Sequence, residues 1–375
     1  MNIAFVGCGF VADFYMASLP LHPELTLTGV MDRDSTRANH FSDFYKVPVY
    51  ETLEKLLSDP KVDIVLNLTN PRSHFEISKA ALEAGKHVYT EKPLGMDIHQ
   101  AKELVALAES KGLLIVSAPC NLLSEAAQTL WKKLRENVIG TVRLVYAEMD
   151  DAMVHKMPYK GWISKSGTPW PYKDEFEIGC TLEHAGYYLS WLAAFFGPAK
   201  SVTSFASIQI PDKLPEETLN MASPDFSVAC IQFHSGVVAR LTTSIVAPHD
   251  HGLKVIGDDG ILYTKDSWHY NSPVYSRKMI KIRRKAFYNP IKKYYKLLKA
   301  DTPKAPKYGS TQMDFARGVA ELAASVRENR PCCLSPQFTL HVNEMALAIH
   351  HANELGATYN LTTTFDPIEP MSWAK

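Results

Sequence analysis

The chain opens with a short apolar run, Asn2-Ile3-Ala4-Phe5-Val6, that passes directly into Gly7-Cys8-Gly9-Phe10-Val11-Ala12. No other feature restricts the fold as much. A strand, then G-x-G-x-x-A, then an amphipathic stretch is what a first strand, a tight turn and a phosphate-facing helix require. Gly7 permits the turn, Gly9 lets the backbone approach a pyrophosphate, and Ala12 keeps helix and strand close. Phe10 and Val11 complete the turn. The helix that follows offers free N–H groups and a partial positive charge. A dinucleotide held by Gly7, Gly9, Phe10, Val11 and Ala12 is therefore expected.

The first 120 residues alternate two kinds of pattern. Apolar runs at Ile3–Val6, Leu25–Met31, Ile64–Leu68, His87–Tyr89 and Leu113–Val116 read as strands. Amphipathic stretches at Val11–Leu19, Thr36–Tyr45, Leu53–Leu57, Phe75–Ala84 and Ile98–Ser110 read as helices. This alternation predicts a parallel sheet covered on both faces. Gly85 and Gly112 each close a helical pattern, as C-terminal caps do. After Cys120 the pattern changes. Helix-like stretches at Glu125–Arg135, Leu182–Phe196 and Leu340–Leu355 accompany β-rich runs at Val142–Met149, Ser201–Ile210, Phe226–His234 and Val237–Ile245. His234-Ser235-Gly236 and Asp258-Asp259-Gly260 read as hairpin turns. We expect an α/β chain with a Rossmann domain over 1–120. A second α/β domain over 121–375 should carry a large open, mainly antiparallel sheet.

The second strand ends on Asp32, whose carboxylate can accept both ribose hydroxyls and so favours NAD. Arg33 follows, and a guanidinium there can pair with a 2′-phosphate, which leaves NADP open. The six cysteines include no C-x-x-C pair, so reduced thiols and no metal are expected. The formal net charge of +0 gives no reason to expect a nucleic-acid binder. No apolar run approaches the ~20 residues of a membrane span. A strand that starts at the second residue leaves no room for a signal peptide, and a cytoplasmic location is expected.

Beyond the opening turn, Thr69-Asn70-Pro71-Arg72-Ser73-His74, Ala81-Leu82-Glu83-Ala84-Gly85-Lys86-His87-Val88-Tyr89-Thr90-Glu91-Lys92-Pro93-Leu94, Phe233–Ala239 and Lys254–Gly260 make the chain resemble the glucose–fructose oxidoreductase / inositol dehydrogenase / MocA family. The resemblance covers nearly the whole length. It implies NAD- or NADP-dependent hydride transfer on sugars, cyclitols or nucleotide-linked sugars. It also implies a homo-oligomer formed through the C-terminal sheet. Lys92 matches the family's catalytic lysine, which would steady developing negative charge on the reacting oxygen. Glu91 would help seat the cofactor, and the bond before Pro93 is a candidate cis peptide. Thr69, Asn70 and His74 fall where the family's chain passes the ribose and nicotinamide, although Asn70-Pro71 also reads as turn chemistry and His74 as a helix cap.

The chain departs from the family over Gly179–Tyr188, where many members read G-G-x-x-x-D-x-G-x-H. Here His184 takes the aspartate position and Tyr188 the histidine position. Their spacing of four aims both at one point of a helix face. Lys92, His184 and Tyr188 are thus the expected catalytic cluster, with packing as the alternative for the last two. Asn121, Glu183 and Trp162 are candidate substrate contacts, and the aromatic segment around Trp162 and Trp170 reads as a lid or a packed loop.

From Arg277 to Lys299 there are ten Lys or Arg and no acid, interleaved with Phe287, Tyr288, Tyr294 and Tyr295. Such a stretch suits an anionic membrane surface or a polyanionic substrate, or else is a solvated, mobile insert. Two rivals to simple hydride transfer remain: a redox-neutral enzyme that oxidises its sugar transiently, and a non-catalytic dinucleotide-binding regulator.

Overall fold

The structure is a computed structural model that describes residues 1–214, 222–304, 307–308, 311–356 and 358–375. The chain forms two compact units. One comprises Met1–Cys120, Pro158–Ile178 and Asp314–Asn343; the other comprises Asn121–Met157, Gly179–Met313 and Glu344–Lys375.

The first unit holds five parallel strands, β1 (Asn2–Val6), β2 (Thr26–Met31), β3 (Ile64–Asn67), β4 (His87–Thr90) and β5 (Ile115–Ser117), in the order β2-β1-β3-β4-β5. Helices α1 (Ala12–Ser18), α2 (Ser35–Tyr45), α3 (Leu53–Ser58), α4 (His74–Glu83) and α5 (Ile98–Ser110) lie between them in the chain. The expected parallel arrangement is therefore present. Every residue of β3 is buried, as in a strand covered on both faces. Val6, Val65, Val88 and Ile115 pack with Leu82, Leu104 and Val105 from the helices. Each such burial contributes roughly 1.5–3 kcal/mol. Side chains of Asp34, Thr52 and Asp97 cap α2, α3 and α5. Gly85 and Gly112 take φ of +79° and +65° just past their helices. The strand order reverses at β1/β3, and open α/β sheets bind ligands beyond the carboxyl ends of the strands at such a point.

Two later segments return to this unit, although the sequence pattern placed them in the second half. Asp13 accepts hydrogen bonds from the backbone N–H of Ser166 at 2.7 Å and from its hydroxyl at 2.8 Å. His22 Nε2 lies 2.9 Å from Asp314 Oδ2, with both side chains buried. Phe14 stacks on Phe315.

The second unit is built on β6 (Val142–Asp150), β7 (Ala199–Ser207), β8 (Phe226–Phe233), β9 (Val238–Ser244), β10 (Leu253–Gly257), β11 (Gly260–Thr264), β12 (Val274–Ile282) and β13 (Lys285–Tyr288). With the short strand Tyr359–Asn360 their order is β13-β12-β11-β10-β6-β9-β8-β7-Tyr359–Asn360, and β14 (Lys293–Tyr295) also pairs with β12. β6 and β9 run parallel and the neighbours of each in turn are antiparallel. Along β6, Val145, Ala147 and Met149 are buried while Leu144 and Tyr146 are exposed, so one face of the sheet is covered and the other open.

Two expectations differ in detail. The stretch expected as one helix over 182–196 is two, Cys180–His184 and Gly186–Phe196; that over 340–355 is Pro336–His350 followed by Ala352–Leu355. The basic stretch is not a loose insert. It forms the β12–β13 hairpin and β14 on the sheet edge, with Arg283-Arg284 as the two-residue turn and Arg283 at φ +54°. Among the described residues, no helix is long and apolar enough to cross a membrane.

Candidate active site

In the first unit the opening turn has the expected geometry. Gly7 sits at φ +101°, and a Cβ there would lie 2.6 Å from the Leu68 carbonyl oxygen, so only glycine fits. Its N–H donates to the Met31 carbonyl at 2.8 Å. Around Gly9 nothing lies within 4 Å of where a Cβ would be. That open ground is what a ligand phosphate needs. No side chain caps α1, whose N-terminal N–H groups follow the turn. Ala12, Phe10 and Val11 occupy the turn and the start of this helix.

Asp32 faces this turn rather than open solvent. Its carboxylate accepts the Cys8 N–H at 2.9 Å and the Asp34 N–H at 2.9 Å, and Arg37 pairs with it at 3.4 Å. Arg33 is exposed. Sequence reasoning missed Arg37, although its place one turn into α2 from Asp34 was available as a signal.

The loop after β3 and the turn after β4 are tied together. Asn67, fully buried, donates to the His74 carbonyl at 3.0 Å and accepts the Thr69 hydroxyl at 2.6 Å. The Asn70 side chain accepts the Ser73 hydroxyl at 3.1 Å, which is turn chemistry. His74, expected beside the cofactor, is instead fully buried. Its Nδ1 lies 2.7 Å from the Pro93 carbonyl and its Nε2 3.0 Å from the Thr69 carbonyl. Burial holds the imidazole below its ordinary pKa against the pull of those carbonyls. Its contacts with these two carbonyls tie the loop after β3 to the turn after β4.

That turn carries Lys92 before a cis Pro93. Glu91 is buried, accepts the Tyr15 hydroxyl at 2.7 Å and accepts the Lys92 N–H at 3.2 Å. Lys92 itself is half-buried. Both Gly7 and Lys92 follow the carboxyl ends of strands. β1 and β4 are separated by β3 alone, which puts the strands ~10 Å apart. Trp162 also belongs to this unit. It packs on Trp170 with ring centroids 4.9 Å apart, beside Tyr159, Tyr172 and Phe176.

In the second unit, His184 and Tyr188 do meet one neighbourhood, though in unequal roles. The His184 ring stacks on Trp268 at 5.9 Å, and its Nδ1 lies 3.9 Å from Asp151 Oδ2. Tyr188 is fully buried and its hydroxyl donates to the His251 carbonyl. Burial holds that phenol well above its ordinary pKa. Its proton is bound to backbone, so the expected role as an acid gives way to anchoring. Asn121, expected beside substrate, is likewise interior. Its amide donates to the Tyr187 and Ser267 carbonyls at 3.1 and 3.2 Å. Glu183 is buried.

Sequence reasoning missed the groups around His184. Asp151, His249, His251, Asp266 and His269 gather there from three separate segments. His251 Nε2 lies 3.6 Å from Asp151 Oδ1, and its Nδ1 3.8 Å from Asp266 Oδ1. His249 and His269 approach Asp266 Oδ2 at 3.8 and 3.6 Å. The pattern His249-Asp250-His251 was the one sequence signal.

Comparison with known proteins agrees with this organisation. Residues 1–118 match the model described as the oxidoreductase family, NAD-binding Rossmann fold, and residues 127–263 match the GFO/IDH/MocA C-terminal domain. Trans-1,2-dihydrobenzene-1,2-diol dehydrogenase of Mus musculus is 26% identical over 267 residues, covering 70% of this chain and 74% of its own. An NAD binding oxidoreductase from Klebsiella pneumoniae superposes with a TM-score of 0.77 at 20% identity, covering 98% of this chain and 99% of its own. The WlbA dehydrogenase from Bordetella pertussis, solved with NADH and UDP-GlcNAcA, gives 0.72 at 14% identity, with 97% and 99% covered.

Proposed function

The chain belongs to the Gfo/Idh/MocA family of NAD(P)-dependent oxidoreductases acting at CH–OH carbons, and we propose that it moves a hydride to or from a sugar, cyclitol or nucleotide-linked sugar with Lys92 as the proton-handling group. The observation that carries this reading is the bracing of Lys92. Its turn is held by Glu91 and His74 beyond the same sheet end that bears the glycine turn. Gly7 and Gly9 fit a dinucleotide, since one leaves no room for a side chain and the other leaves its approach open. When bound, the nicotinamide accepts or supplies the hydride. Lys92 Nζ donates a hydrogen bond to the substrate oxygen, steadies its developing charge, and passes a proton to it or takes one back. His184 is proposed as the second unit's substrate-side polar group.

Asp32 supports a preference for NAD, because a 2′-phosphate would meet its carboxylate; Arg33 and Arg37 keep NADP within reach. The outward face of the large sheet, with Leu144, Tyr146 and Phe205 exposed, supports a homo-oligomer. The basic hairpin and β14, which expose Ile282, Phe287 and Tyr294 beside their cations, support attachment to an anionic bilayer from the cytoplasm. The testing experiment assays a panel of sugars, cyclitols and nucleotide sugars with both cofactors. Turnover that follows reduced nicotinamide is expected. Failure of every substrate with both cofactors would overturn the reading.

A further inference from the structure

We propose that the second unit holds a divalent transition-metal site whose ligands are Asp151, His249 and His251. The proposal is independent of hydride transfer, because it concerns side chains of this unit alone and is read by metal binding without cofactor or substrate.

The backbone creates the site. Asp150 and Asp250 exchange two hydrogen bonds, each N–H donating to the other's carbonyl at 3.0 Å. This bridge places Asp151, just past β6, beside the segment that leads into β10. Residues 249 and 251 flank Asp250, and extended backbone turns alternate side chains to the same side. The two imidazoles accordingly lie together, ring centroids 4.1 Å apart. One ligand atom from each of Asp151, His249 and His251 lies within 4.8 Å of the others. An ion that binds imidazole nitrogens and a carboxylate oxygen at about 2.0–2.2 Å would draw these three atoms together.

The decisive observation is His251. Its side chain is 0% exposed, and its two ring nitrogens face carboxylates at 3.6 and 3.8 Å, too far for a close hydrogen bond. A buried polar group left so is costly, and buried groups of this kind are normally satisfied. Nε2 points toward Asp151 and Nδ1 toward Asp266. A metal on Nε2 would satisfy the first. Asp266 would then accept from Nδ1–H, the carboxylate–histidine–metal arrangement that fixes the tautomer of a ligating imidazole. The Tyr188 hydroxyl on the His251 carbonyl, and the Trp268 ring 4.5 Å from the imidazole, hold the ligand in place. His249 is 51% exposed on its side chain, so the fourth side faces solvent. Two imidazoles, one carboxylate and an open position suit Zn²⁺ or a similar borderline ion, and an exchangeable site rather than a closed one.

The test uses the full chain, stripped with a chelator and titrated with Co²⁺ and then Zn²⁺ at neutral pH. Wild type should take up one equivalent of Co²⁺ with visible d–d absorption that Zn²⁺ abolishes. His249→Ala and Asp151→Asn should each weaken Co²⁺ binding at least about tenfold, while His234→Ala, at an exposed hairpin turn, leaves it unchanged. His249 is half-exposed, so its loss tests binding without endangering the fold, and melting curves of both variants would verify this. Absence of saturable binding in wild type would overturn the proposal and leave a network of imidazoles and carboxylates. Binding that survives both substitutions would overturn it as well, by showing that the ion sits elsewhere.

Discussion

The phenol of Tyr15 donates to Glu91 Oε1 at 2.7 Å and so links the helix behind the glycine turn to the residue before Lys92. Burial, then the Glu91 charge, holds that phenol well above its ordinary pKa, so it remains a donor. Tyr15→Phe leaves a buried carboxylate short of one partner, at a cost of about 1–3 kcal/mol. The expected result is a lower melting temperature together with weaker cofactor binding. Unchanged values of both would remove Glu91 from the support of this turn.

Lys92→Met should lower kcat by about 10²–10⁴-fold, the range typical of losing a positioned proton donor. Turnover should fall far more than cofactor affinity or thermal stability, because Glu91 and His74 also fasten the turn. Full turnover in this variant on a verified substrate would end the assignment of Lys92.

Gly7 and Gly9 should respond differently to the same change. Gly7→Ala strains a left-handed backbone and drives a methyl group against the Leu68 carbonyl, so the protein itself should lose about 1–3 kcal/mol or more. Gly9→Ala meets nothing in the protein. It should melt like wild type yet bind dinucleotide much more weakly. Denaturation curves beside cofactor titrations separate the two, and equal melting points would contradict the packing described for Gly7.

His350 provides a pH prediction. Burial pushes its imidazole down from 6.5 to about 4. The unfolded chain thus binds this proton more readily than the folded chain, and stability present above pH 6.5 is lost as the pH falls toward 4. The loss amounts to at most about 3 kcal/mol at 1.36 kcal/mol per unit. His350→Gln should flatten the acid limb between those values when unfolding free energy is measured against pH. An unchanged slope would assign the acid sensitivity to other groups.

Replacing Arg283, Arg284 and Lys285 with glutamine should weaken binding to anionic vesicles by roughly 1 kcal/mol per charge, and added salt should weaken the wild type toward the same level. Sedimentation with vesicles measures both. Vesicle binding equal to wild type would leave the hairpin without a membrane role.

The parallel half was legible because its signals are local. Gly7, Gly9, Ala12 and the caps at Gly85 and Gly112 each need only their neighbours in sequence to be interpretable. The bracing of the site was not. His74 lies five residues from Thr69 but nineteen from Pro93, and only the fold brings those carbonyls to its ring. Asn121 resembled a ligand contact until its amide met carbonyls 66 and 146 residues away. The histidine cluster was hidden for the same reason, being assembled from the ends of β6 and two later loops. The β12–β13 hairpin was obscured by its cations, which break the apolar alternation that marks a half-buried strand.

The chain's two returns to the first unit bear on protein engineering. Asp13 and His22 lie within the opening 120 residues, yet Ser166 and Asp314, which satisfy them, arrive much later. A fragment cut at Cys120 would cost Asp13 both Ser166 hydrogen bonds, leaving only that from Tyr45, and would take the buried Asp314 from His22, and a chimera that grafts only those 120 residues onto another protein would inherit the defect. The nucleotide half is not a detachable cassette; whoever transplants it must carry three pieces of chain.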